Sequence, residues 1–63
     1  MSTGEIIRRR REALGIEQKE MAAQLEITPS MLCQIERGTK QVTIPLGKKI
    51  AWILECTLED LAG

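Results

Sequence analysis

The stretch from Gln18 to Gly38, QKEMAAQLEITPSMLCQIERG, leaves this chain little choice of fold. It reads as a short helix, a tight connection at Glu26-Ile27, and a second helix opened by Thr28-Pro29-Ser30 and closed by Gly38. Thr28 is placed to accept from the free amides of the second helix's first turn, Pro29 sits where a missing N–H costs nothing, and Gly38 supplies the stop. At about 100° per residue, Leu32, Ile35 and Glu36 share one face of that helix, and Ser30, Gln34 and Arg37 share the opposite one. Met21, Ala22 and Leu25 give the first helix its inward side. Two helices that bury facing sides across a tight turn must hold one polar helix face outward.

That outward face has the chemistry a major groove asks for. Gln pairs bidentately with adenine, Ser meets several base edges, and Arg grips guanine or phosphate. Gln18, at the start of the first helix, offers side-chain and backbone donors to a phosphate. Spacing alone is a weak signal, because any small helical bundle contains such a pair of helices.

The residues themselves say more. Gln18 with Ala22, then Ile-Thr-Pro-Ser-Met-Leu ending in Gln34-Ile35-Glu36-Arg37-Gly38, resembles the Cro and phage-repressor type of helix-turn-helix, the Xre family. The resemblance covers nearly all of the chain. It implies an all-α, compact five-helix bundle of the lambda-repressor-like kind, with the helix-turn-helix at helices 2 and 3. It also implies a sequence-specific transcriptional regulator, a repressor, acting as a homodimer on a two-fold related site in double-stranded DNA. On that reading Ser30, Met31 and Gln34 contact bases, Met31 through a thymine methyl, while Gln18, Thr28, Arg37, Thr39 and Lys40 hold phosphates. The loop Thr39-Lys40-Gln41-Val42 either grips the DNA backbone in this way or is an ordinary solvated connection.

From its start, the chain reads as one domain over residues 1–63. Thr3 is expected to cap a first helix from about Gly4 to Leu14, which Gly15 ends. Ile7, Arg11 and Leu14 share a face of it, so an arginine falls on the buried stripe. A buried guanidinium needs a carboxylate, and Glu36 lies on the inward face of the reading helix. The helical wheels and the resemblance both favour a structural ion pair between Arg11 and Glu36; the alternative is that Arg11 snorkels to solvent. Arg8, Arg9 and Arg10 read as a solvated face with one or two near the phosphates. Glu26 and Glu55 stand where the family tends to place Gly at a helix end, which strains the turn and lowers stability.

Thr43 is expected to cap a fourth helix, Ile44 to Leu54, with Ile44, Ile50, Ala51 and Leu54 inward. Thr57 caps a last short helix, Leu58 to Leu61, whose two leucines fold back onto the core. Trp52 points away from that core. It either packs at an edge or marks a dimer contact, since exposed aromatic area is a sign of an interface.

Composition narrows the rest. A chain of 63 residues without Phe or Tyr builds a small core and is marginally stable. No histidine accompanies Cys33 and Cys56, so no metal site or cofactor is expected; nucleophile–base pairs and phosphate-binding glycine loops are missing too, so no enzyme is expected. The absence of a long apolar run and of a signal-peptide pattern makes a cytoplasmic location the default and no membrane or small-molecule partner is expected. Nine basic and nine acidic side chains leave no net charge, which weighs against DNA, because affinity depends on neutralising phosphates. The alternative function is a helix-turn-helix protein-interaction module, antitoxin-like or an assembly partner, with weak or no DNA binding.

Overall fold

Local hydrogen bonding sets where each helix starts. In the computed structural model, which describes residues 1–62, Ser2 caps α1 (Thr3–Ala13) by accepting from the Glu5 amide at 3.3 Å. Thr3 was the residue expected there; the serine hydroxyl one position earlier reaches the amide first. Glu20 reaches back to the Glu17 amide at 3.3 Å and opens α2 (Gln18–Leu25). Thr28 and Thr43 accept from Met31 and Leu46 and open α3 (Pro29–Arg37) and α4 (Ile44–Ile53), each with a proline in its first turn.

All four helices end alike. The chain turns left-handed at Gly15, Glu26, Gly38 and Glu55, with φ between 58° and 84°. The following amide then bonds back five residues, Ile16 to Arg11, Ile27 to Ala22, Thr39 to Gln34 and Cys56 to Ala51. That pairing satisfies carbonyls the helix end would leave free. Glycine takes this conformation at no steric cost, whereas Glu26 and Glu55 each hold it at a penalty of about 1 to 2 kcal/mol.

The expected fifth helix is a 3-10 turn, Glu59–Leu61. Its amides bond three residues back, Asp60 to Thr57, Leu61 to Leu58 and Ala62 to Glu59, a tighter winding that suits so short a segment. Thr57 and Asp60 cap it reciprocally, at 2.9 and 3.2 Å. The fold is therefore all-helical, four helices and this turn, with no strand among the described residues.

The core is Ile7, Met21, Ala22, Leu25, Leu32, Ile35, Ile50, Ala51, Leu54 and Leu61. α3 packs on α1 and α2, α4 on α2, and the terminal turn bridges α1 and α4. Three expected inward residues face water instead: Leu14, Ile44 and Leu58 are exposed. Leu14 and Ile44 stand at the margins of their helices, whereas Leu58, at 39% exposure, still lies against Gly47 of α4. Gly4 shows the opposite effect. A β-carbon there would collide with the carbonyl oxygens of Ile35 and Glu36, lying 2.6 Å from the latter, so only glycine lets α1 come this close to α3.

Candidate nucleic-acid interface

The reading helix is fixed from behind by both apolar and polar contacts. Leu32 and Ile35 are fully buried. Between them and α1, Arg11 Nε donates to Glu36 Oε2 at 2.7 Å and Arg11 Nη2 to Glu36 Oε1 at 3.2 Å. The remaining Arg11 nitrogen donates to the Ile16 carbonyl at 2.8 Å, and the Gln18 amide donates to Glu36 Oε1 at 3.1 Å. One carboxylate thus ties together α1, the start of α2 and α3. Its hydrogen bonds raise the guanidinium pKa above the ordinary value, against the lowering that burial alone would cause. Among the described residues no buried side-chain nitrogen or oxygen lacks a partner, which is the condition under which a buried pair holds a geometry rather than weakening it.

With α3 held this way, Ser30, Gln34 and Arg37 are exposed on its far side. Met31 is half-buried at one flank and packs against the core margin, so less of it is presented than the wheel suggests. Cys33 is half-buried at the other flank, beside a polar trench of about 560 Å³ that Arg8, Gln18 and Arg37 also line. Thr28 is exposed, and its hydroxyl oxygen serves as the cap of α3.

Two expected phosphate holders use their donors inside the protein. The Gln18 side chain is spent on Glu36, which leaves the backbone amide of that first helical turn to face outward. Thr39 donates from both its amide and its hydroxyl to the Gln34 carbonyl, at 3.0 and 3.1 Å, and so fixes the loop after α3 to the helix end. Arg37 and Lys40 stay exposed and make no ion pair with any other described residue.

The balanced charge is partitioned along the chain. From Ile27 to Leu54 the only acid is Glu36, which Arg11 neutralises, while Arg37, Lys40, Lys48 and Lys49 are all exposed. The reading helix and the loop after it therefore carry no free negative charge. This signal lay in the sequence, hidden by the whole-chain total. The other ionisable features are unremarkable for chemistry: Cys33 and Cys56 are free half-buried thiols, burial pushes the Cys56 thiol up, and no cluster of the described residues could hold a metal ion.

A polar helix face, rigidly backed and free of acids, on a helix-turn-helix frame is the arrangement of a DNA-binding regulator. The helix-turn-helix family model matches residues 7–61, and the chain belongs to that family, the Xre/Cro-type helix-turn-helix proteins. The P22 c2 repressor protein, solved in complex with synthetic operator 9T, has the same fold: TM-score 0.91 at 24% identity, over 98% of this chain and 94% of that one. The clp gene regulator ClgR from Corynebacterium glutamicum is 27% identical with a TM-score of 0.89, over 94% of this chain and 63% of that one. SinR, the master regulator for biofilm formation solved in complex with DNA, is 25% identical with a TM-score of 0.85, over 94% of this chain and 95% of that one. No curated protein matches the chain significantly.

Proposed function

We propose that this chain, as a single domain, is a sequence-specific DNA-binding transcriptional regulator, a repressor that reads the major groove with α3. The observation that carries this is the pairing of a buried Arg11–Glu36–Gln18 clamp with an exposed Ser30, Gln34 and Arg37 on the same helix. Ser30 and Gln34 meet base edges, and Met31 offers its exposed part to a thymine methyl. Arg37, Lys40 and Thr28 hold phosphates, Gln18 contributes its backbone amide, and Thr39 holds the loop that carries Lys40. Family membership and the likeness to repressors and regulators solved with DNA support the reading. The protein acts in the cytoplasm as a homodimer, with Trp52 in the contact, on half-sites about 34 Å apart.

Selection of bound duplexes from a randomised library, followed by the salt dependence of the best binder, tests this. The expected result is a motif with two-fold symmetry and a steep salt slope. Gln34→Ala should then cost about 1 to 3 kcal/mol and relax one base position, whereas Lys40→Ala should weaken every sequence alike and reduce the salt slope by about 1. Equal effects of both changes on all sequences would show that readers and holders are wrongly assigned. Trp52, at 83% exposure, favours a second reading, a protein-interaction module; absence of any DNA binding at low salt would select it.

A further inference from the structure

The outer side of α1 carries charge that the reading helix does not use. Gly4, Ile7 and Arg11 turn toward α3 or the core, and Arg8 lines the trench it shares with Gln18 and Arg37. At about 100° per residue, Ile6, Arg9, Arg10 and Ala13 fall on the opposite side of the helix. With Met1 and Asp60 they line a separate groove of about 390 Å³. Arg9 and Arg10 are exposed, and neither makes an ion pair with any other described residue. Asp60, in the same wall, already accepts from the Thr57 amide at 2.9 Å. The two arginines are therefore free cations on a side of the molecule turned away from the base-reading face.

The lining as a whole identifies what fits it. Ile6 is half-buried against the core, Ala13 is exposed, and Met1 lies largely in water. These three supply apolar surface, the arginines a positive rim, and Asp60 an acceptor. A duplex offers this groove phosphates alone, which satisfy the arginines, oppose Asp60 and leave the apolar surface uncovered. An anionic membrane is met by an apolar face that protrudes into it, whereas Ile6 lies in a recess. A polypeptide brings every complement: carboxylates for the arginines, an apolar side chain for Ile6 and Ala13, and N–H donors for Asp60. Arginine is also the cation that takes a carboxylate through two parallel hydrogen bonds.

We infer that this groove docks an acidic segment of a partner protein, its carboxylates on Arg9 and Arg10 and an apolar side chain seated between them on Ile6 and Ala13. Arg9 and Arg10 stand to either side of the line that joins Ile6 to Ala13, three or four positions from each. An apolar side chain on that line has a guanidinium on each flank. Because the groove and the reading face lie on different sides of the molecule, the partner and a duplex can be held at once. The contact does not rest on the DNA reading. A helix of 11 residues is roughly 16 Å long, so the interface is smaller than a standard one and its affinity is weak, roughly micromolar to millimolar. It is also salt-sensitive, since exposed pairs are screened.

Titration of the full chain, without DNA, with three fluorescein-labelled synthetic peptides tests this. One has glutamates flanking a pair of leucines, the second has serines for the leucines, and the third has lysines for the glutamates. Anisotropy gives the affinity and amide chemical shifts give the place. The glutamate and leucine peptide should bind, move the amides of Ile6, Arg9, Arg10 and Ala13, and leave the emission of Trp52, the one tryptophan, unchanged. Arg9→Gln/Arg10→Gln should weaken it at least about tenfold, through the loss of two charge-assisted contacts. Ala13→Gln, which lays a polar chain over the apolar surface, should weaken it by a smaller factor, and Arg9→Lys/Arg10→Lys should recover part of the binding. The substituted residues are exposed, so circular dichroism should show every variant folded. Arg9→Gln/Arg10→Gln should hold a selected duplex within about threefold of the parent, because a helix width of about 10 Å exceeds the screening length of about 8 Å. Several results would overturn the inference: no peptide bound, the serine peptide bound equally well, binding indifferent to Arg9→Gln/Arg10→Gln, or a shift in Trp52 emission, which would place the peptide beside α4. A loss of duplex affinity in Arg9→Gln/Arg10→Gln as large as in Lys40→Ala would also overturn it, by making both arginines phosphate holders. Peptide binding by a chain that binds no duplex would leave the inference standing and sink the DNA reading; duplex binding without peptide binding would do the reverse.

Discussion

The contact between α1 and α3 and the outward side of α4 break the rule of apolar inside and polar outside in opposite directions. Arg11 and Glu36 are 8% and 6% exposed, while Trp52 is 83% exposed. The first exception is resolved within the chain. Each carboxylate oxygen of Glu36 and three nitrogens of Arg11 have partners, so the helices that they join have one relative position. The second exception has no resolution among the described residues, and the side chain that commits it contributes nothing to the core. What the two regions teach is that an out-of-place residue is informative through its partners: satisfied ones locate the frame, unsatisfied ones locate a surface.

The sharpest way to break that comparison is to remove one residue from each region. Arg11→Ala should destabilise the fold by about 3 to 5 kcal/mol, because Glu36 is left charged and buried with only Gln18 to answer it. In a chain this small, that is enough to unfold much of the population. Trp52→Ala should leave stability within about 0.5 kcal/mol of the parent. Urea unfolding of both variants checks this. If the two losses were similar, Trp52 would be part of the core in solution and the contrast would collapse.

A smaller effect tests the left-handed turns, which glycine makes after α1 and α3 and glutamate makes after α2 and α4. Glu26→Gly and Glu55→Gly should each stabilise the chain by about 1 kcal/mol, since the left-handed turn is already formed and a side chain only opposes it. Gly38→Ala should act in the reverse sense, because its φ is +84° although nothing crowds the position.

Much of this was legible in the sequence, for reasons that are local. Thr28, Thr43 and Thr57 act as caps through hydroxyls a few positions from the amides they meet, and such short-range chemistry is written in the residue types. Arg11 and Glu36 were legible because each stood alone as a charge on an otherwise apolar stripe. Leu14 and Ile44 face water because periodicity does not say where a neighbouring helix stops. The role of Gly4 arises only when α1 meets α3, two segments far apart in the chain. Gln18 and Thr39 have the residue types of phosphate donors; tertiary packing turns the Gln18 side chain onto Glu36, while the exposed Thr39 hydroxyl is taken locally by the Gln34 carbonyl at the end of α3. The final helix was over-read: its capping pair is real, but the segment is long enough for one tight turn alone.

The smallest effect concerns that turn, which closes the molecule beside α1 and α4. Hydrogen bonds from the Thr57 amide and hydroxyl hold the Asp60 carboxyl below the ordinary aspartate pKa of 3.8. A lowered folded-state pKa means that the unfolded chain takes up this proton first on acidification. The cap therefore contributes its full stability above about pH 3.8, and that contribution fades as the pH falls through the lower folded value. Asp60→Asn keeps an oxygen for the Thr57 amide but cannot titrate. The parent should be the more stable of the two at neutral pH, and its advantage should shrink below pH 3.8. Melting curves of both proteins between neutral and acid pH measure that difference directly, with the other carboxylates cancelling. Because Asp60 is exposed, the change should be slight and confined to the terminal turn. A disturbed Arg11–Glu36 contact in Asp60→Asn at neutral pH would show the two regions to be coupled, whereas an unchanged frame around α3 would show that this end of the molecule responds independently.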